Sequence, residues 1–213
     1  MRQCAYIFDY GATLDTRGEH WSKVFYRAYQ KCGYKKSWEE FWETYKQTER
    51  RLGKGDIIRP TDTFHEVLRK KVEMHGAPKE ALDMLYNETK EVIEESREVL
   101  ERLHQQGCPM VLVSNFYGNI ETVLGEFGLS QYFIEVIESA QVGIRKPDPR
   151  IWQLGIEALQ KICPTLQPQD ITVVGDSMEK DILPAQTLGC NTILREIGTK
   201  LNIQNEQDKC KTC

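Results

Sequence analysis

The 213-residue chain has no apolar run near the ~20 residues that a membrane-spanning helix needs, so no membrane association is expected. It also lacks a basic excess. Lys and Arg number 28 against 32 Asp and Glu, for a net charge of −4, which argues against a surface built for nucleic acid. Met1-Arg2-Gln3-Cys4 lacks the apolar core and small-residue cleavage site of a secretion signal, so a cytoplasmic location is expected. There is no internal repeat and no low-complexity tract. With 40% hydrophobic and 28% charged residues, the composition is that of a globular chain rather than a disordered one.

The cysteines do not make a disulfide framework by count. Seven of them (Cys4, Cys32, Cys108, Cys163, Cys190, Cys210 and Cys213) are an odd, scattered set, which fits a reducing compartment and small core residues. Cys210 and Cys213 form a CxxC, but no second pair completes a zinc site and no strand precedes a helix there, so they are read as part of a polar tail from about 199 to 213.

What is present divides into three parts. Cys4 to Phe8 is a continuous apolar run ending at Asp9, as in a strand buried on both faces of a parallel sheet. Residues 17–96 then carry apolar stripes at helical spacing: Trp21, Val24, Phe25, Ala28 and Tyr29; Trp38, Phe41, Trp42 and Tyr45; Phe64, Val67, Leu68 and Val72; and, after Pro78, Leu82, Leu85, Tyr86 and Ile93. These predict a bundle of four helices with the stripes as its core. From about 97 onward helix and strand signals alternate, with strands at Met110–Val113, Phe133–Ile137, Ile171–Val174 and Asn191–Leu194. The expected fold class is therefore α/β: a doubly wound parallel sheet from residues 1–16 and 97–213, interrupted by a helical insertion at 17–96.

In such sheets ligands bind where the strands end. Asp9 follows the first strand, Ser114 and Asn115 the second, Lys146 lies in the loop after the third, and Gly175 and Asp176 follow the fourth, with Asp181 five residues on. Carboxylates brought together repel unless a cation joins them, and an oxygen-rich set suits magnesium. A lysine and a Ser-Asn turn beside that cation would cradle a dianion. Singly, Ser114-Asn115, Lys146-Pro147 and Gly175-Asp176-Ser177 also read as turns or caps; their joint placement at successive strand ends points to a site.

These residues resemble the four motifs of the haloacid dehalogenase-like hydrolase superfamily. They stand here as Ile7-Phe8-Asp9-Tyr10-Gly11-Ala12-Thr13-Leu14, Val111-Leu112-Val113-Ser114-Asn115, Arg145-Lys146-Pro147-Asp148-Pro149, and Val174-Gly175-Asp176-Ser177 with Asp181. The helical insertion between the first two resembles the family's cap domain. The resemblance implies that Asp9 is the nucleophile, that Ser114 and Asn115 hold phosphoryl oxygens, and that Lys146 neutralises charge. It further implies that Asp9, the Gly11 carbonyl and Asp176 bind Mg2+, with Asp181 supporting the metal shell.

One departure bears on activity. Family phosphatases carry an acid–base aspartate two residues after the nucleophile; here the position is Gly11, and Ala12 replaces the next glycine. Loss of such a group costs about 10²–10⁴ in rate, less for acyl or aryl phosphates, whose leaving groups need no proton. Three functions stay open: a magnesium-dependent phosphatase-type hydrolase, a haloacid dehalogenase or phosphonate hydrolase, and a catalytically impaired phosphate-binding protein. A phosphonate hydrolase would need a Schiff-base lysine in the cap, for which Lys23 and Lys54 are candidates. The flexible basic segment Gly53-Lys54-Gly55-Asp56 with Arg59 is the candidate substrate-binding loop, alternatively an ordinary interhelical turn. The expected partner is a small phosphorylated or haloacid substrate, and the expected assembly a monomer or homodimer.

Overall fold

The computed structural model describes residues 4–203. Five parallel strands form one sheet in the order β3-β2-β1-β4-β5: β1 (Ala5–Phe8), β2 (Met110–Ser114), β3 (Glu135–Glu138), β4 (Ile171–Gly175) and β5 (Asn191–Leu194). The motif-bearing β1 is central, with Phe8 paired to Leu112 on one side and Val174 on the other.

Strand alternation divides the interior in two. Phe8, Met110, Leu112 and Val174 face one hydrophobic core, while Ala5, Ile7, Val111, Val113 and Val173 face the other. The second core is closed by α7 (Pro149–Ile162), capped by the Asp148 side chain and started by Pro149. Gly155 lets α7 lie directly on the sheet: a Cβ there would stand 3.0 Å from the Ile7 side chain and 3.2 Å from that of Val113.

The first core continues into the helices between β1 and β2: α1 (Trp21–Lys31), α2 (Trp38–Leu52), α3 (Phe64–Met74) and α4 (Ala81–Gln105). Capping boxes at Ser37/Glu40 and Thr63/Glu66 fix the starts of α2 and α3. The stripes around Ile93 and Val99 to Leu103, expected as two helices either side of residue 96, are one uninterrupted 25-residue helix, α4. No glycine or proline lies between Ala81 and Gln105 to break it, and Pro78 stands outside it. The remaining helices are short: α5 (Ile120–Glu126), α6 (Ser139–Val142) and α8 (Leu183–Thr187).

The polar tail expected from about residue 199 is packed through residue 203. Leu201 and Ile203 are buried, and Arg102 donates to the Ile203 carbonyl at 2.7 Å. Cys4 and Cys163 are disulfide-bonded, against the expectation of unlinked core cysteines, while Cys32, Cys108 and Cys190 form no disulfide. Cys210 and Cys213 lie outside the described residues. Among the described residues, no helix is long and apolar enough to cross a membrane.

Candidate active site

Asp9 leaves β1 with its N–H donating to Val174, so the strand pairing itself aims the residue at the sheet's carboxyl edge. Its side chain is buried. Thr13 Oγ1 donates to Asp9 Oδ2 at 2.8 Å, and Lys146 Nζ donates to Asp9 Oδ1 and, at 2.9 Å, to Asp181 Oδ1. Asn115 holds the lysine's backbone from both sides: Lys146 N donates to Asn115 Oδ1 at 3.0 Å, and Asn115 Nδ2 donates to the Lys146 carbonyl at 3.1 Å. The Lys146–Pro147 peptide is cis. Beneath the ammonium lies the Trp152 ring of α7, its centroid 4.6 Å away.

Asp181 reaches this centre from a π-helical turn, Met178–Ile182, with its Oδ2 accepting from Ser177 N at 2.9 Å. Gly175 makes that approach possible: a Cβ there would fall 2.4 Å from the Asp181 Cβ. Oxygens of Asp9, Asp176 and Asp181 all lie within 4.8 Å of one another.

One ammonium thus contacts two of three clustered carboxyls. Burial pushes Asp9 upward, and Asp181 adds to this, against the pull of Lys146 and Thr13. Asp176 is pushed up to about 7, first by burial and then by the charges of Asp9 and Asp181. For Lys146 burial opposes the charge, but Asp9 and Asp181 outweigh it, and the ammonium is held above its ordinary range. Such a surplus of hard oxygen donors fits a divalent cation, which would relieve the repulsion that raises Asp9 and Asp176.

The turn after Asp9 carries residues whose roles were not foreseen. Thr13 was visible in the motif, but its bond to Asp9 was not. Ala12 is left-handed, at φ 65°. Asp15 braces it, accepting from Ala12 N at 2.6 Å and from Trp21 Nε1 at 3.0 Å, and so ties this turn to α1. Burial pushes Asp15 up to about 8 against those two donors. At Gly11, nothing stands within 4 Å of where a Cβ would be.

A cavity of about 370 Å³ joins this centre to the inserted helices. Its lining brings together Asp9, Gly11, Ser114, Asn115, Lys146, Asp176 and Asp181, as expected. Lys54 and Arg59 do not line it; both are exposed. The reason lies in the length of α2. It runs to Leu52, past the expected stripe, and Leu52, Ile58 and Val67 close a separate small core beneath the 53–58 turn. Lys23 is also exposed and off the cavity.

The inserted helices present Trp42, Tyr45, Glu49 and Lys71 to the cavity instead. Lys71 pairs with Glu49 at 2.8 Å, and Tyr117 OH donates to Glu49 Oε2 at 2.6 Å. The available signal was register. Lys71 falls on the buried face of Phe64, Val67, Leu68 and Val72, where a lysine needs a partner.

The comparisons agree with this geometry. Residues 5–189 match the family model described as haloacid dehalogenase-like hydrolase. The chain belongs to that family. It is 35% identical over 117 residues to haloacid dehalogenase-like hydrolase domain-containing protein 3 of Mus musculus, covering 53% of this chain and 45% of that protein. It is 27% identical over 196 residues to the ribulose-1,5-bisphosphate 5-phosphatase of Halopiger xanaduensis, covering 86% and 79%. The chain spans about half the length or less of several curated relatives it matches. A solved dehalogenase shares the fold with a TM-score of 0.57 at 20% identity, covering 90% of this chain and 84% of that one.

Proposed function

We propose that this family member is a magnesium-dependent, phosphatase-type hydrolase with Asp9 as nucleophile and the inserted helices as its cap. Asp176 carries the reading. It is a third carboxyl beside Asp9 and Asp181, whose one shared ammonium contacts the other two. Asp9, Asp176 and the Gly11 carbonyl would hold the ion. Asp181 would keep Lys146 in place, since its two oxygens are already engaged by Lys146 and Ser177. Bound there, Mg2+ would supply charge neutralisation for the transferring phosphoryl group.

The chain's own groups account for the rest. Lys146 and Thr13 fix the Asp9 carboxylate. An Asp9 oxygen forms a bond to phosphorus while the ester P–O bond breaks, giving an aspartyl phosphate and a free alkoxide or phenoxide. Ser114 and Asn115, at the end of β2, border the place the phosphoryl oxygens would occupy. Water then cleaves the acyl phosphate and regenerates Asp9. Gly11 offers no proton to the leaving oxygen, so good leaving groups are favoured. Halide would also leave without a proton, but a metal-free dehalogenation gives Asp176 no role. A Schiff base needs a neutral amine. Lys71 and Lys146 are both held above the ordinary lysine range by their carboxylate neighbours, although burial opposes it.

The test is turnover of 4-nitrophenyl phosphate by wild type and Asp9→Asn, with magnesium and with chelator. Wild type with magnesium is expected to exceed Asp9→Asn by at least ~10⁴-fold and to stop on chelation. Equal rates for the two proteins would refute the reading. Halide release from 2-haloacids under chelator would favour the dehalogenase instead.

A further inference from the structure

The cavity half facing away from Asp9 has a chemistry of its own. Resting on the phosphatase reading, we propose that its substrate class is monocyclic aryl phosphates, in which the leaving group is an uncharged aromatic ring.

Two observations converge on this class. The first concerns departure. The acid–base position is glycine, and no atom of a neighbouring group comes within 4 Å of where its Cβ would stand. No side chain stands at that point, which favours a leaving oxygen that carries its own negative charge away. A phenoxide does this far more readily than an alkoxide.

The second concerns shape and charge on the cap side. Trp42 and Tyr45 stack there, with centroids 5.7 Å apart and planes 10° apart, and Phe116 and Tyr117 form the adjoining wall, 5.0 Å apart. Ring-lined walls favour a planar ring through offset and edge contacts, and about 370 Å³ is at the small end of ligand sites. The charges that α2 and α3 contribute cancel internally. Glu49 takes both the Lys71 ammonium and the Tyr117 hydroxyl, and that ammonium also lies over the Phe25 and Tyr117 rings at 5.7 and 5.0 Å. Turning Lys71 toward a substrate carboxylate would strip Glu49 of its cation. Arg145 and Lys146, from the segment after β3, and Lys180, from the turn after β4, also line the cavity, and His20, against the Trp42 and Tyr45 rings, is held below its ordinary range, first by burial. A leaving group with its own carboxylate therefore finds no unpaired cation contributed to the cavity by α2 or α3.

Two measurements on the full chain with magnesium decide the matter. The first compares kcat/KM for phenyl phosphate with that for phosphoglycolate and phosphoserine. At least ~10-fold in favour of phenyl phosphate is expected. Equal or reversed preference, with Asp9→Asn inactive, would overturn the aryl assignment and leave the phosphatase reading intact. The second is independent of turnover: calorimetric affinity for phenylphosphonate against methylphosphonate. The phenyl compound is expected to bind about tenfold tighter, and Trp42→Ala to erase that advantage while Trp42→Phe retains most of it. Equal affinity for the two phosphonates in wild type would refute the ring-binding wall whether or not the chain hydrolyses anything.

Discussion

The two halves of one cavity handle charge in opposite ways. At the strand ends, Asp9, Asp176 and Asp181 crowd around a single lysine and remain short of positive charge. In the helical insertion, Lys71 and Glu49 balance each other, and rings fill most of the remaining wall. The first half can act on a cation and a phosphoryl dianion, because its unsatisfied field is available to them. The second has spent its charges on itself, so it can discriminate only by shape and by the cost of disturbing the pair. Under the proposed function, chemistry and selection are thus separated by electrostatics as well as by position.

The sharpest way to break this comparison is to give the strand-end half the group it lacks. At Gly11→Asp the new Cβ meets nothing within 4 Å. The substitution is expected to raise turnover of alkyl phosphates by about 10²–10⁴-fold and of 4-nitrophenyl phosphate much less, because only the alkoxide needs the proton. Plotting kcat/KM against leaving-group pKa for substituted phenyl phosphates checks this: the steep slope of the wild type should flatten in the variant. An unchanged slope would mean that another group already supplies the proton.

The strand-end half was the more legible of the two. Its residues follow apolar runs whose burial on both faces forces a parallel sheet, and a parallel sheet places their polar successors on one edge. Asp9, Ser114, Asn115, Lys146, Asp176 and Asp181 could therefore be located before any coordinates. Their mutual bonds could not. That Asn115 clamps the Lys146 backbone, or that Gly175 clears space for Asp181, depends on loop conformations no periodicity encodes. The helical half was legible as a bundle but not as a wall. Which side of a stripe faces a cavity depends on where each helix stops. The extension of α2 to Leu52 keeps Lys54 and Arg59 off the cavity and puts Glu49, paired with Lys71, on its wall.

The balanced pair offers a second lever. Glu49→Gln leaves the nearly buried Lys71 ammonium without its carboxylate and is expected to cost about 3 kcal/mol in urea unfolding. Combining it with Lys71→Met should return stability to within about 1 kcal/mol of wild type, because both charges are then gone. An additive loss in the double variant would show that the two residues do not function as a pair.

A smaller effect probes whether the insertion holds its other polar groups neutral as well. His75 caps α3 and is fully buried among Phe25, Tyr29, Phe41 and Tyr45, with Tyr29 OH 2.7 Å from its Nδ1. Burial and then the Lys71 charge push its pKa down to about 3, with Glu49 opposing. The folded protein thus keeps the imidazole neutral, whereas the unfolded chain takes up a proton below its ordinary value near 6.5. Stability from this residue is complete above that value and is lost as pH falls toward the folded value, by about 1.4 kcal/mol per pH unit. At pH 5 the loss should reach about 2 kcal/mol. His75→Gln removes the titration, so the difference between variant and wild type in urea unfolding should move in the variant's favour by that amount between pH 7 and pH 5. A difference that stays constant over that interval would mean that the imidazole takes up a proton in the fold as readily as in the unfolded chain, and that the insertion tolerates a third charge beside Lys71 and Glu49.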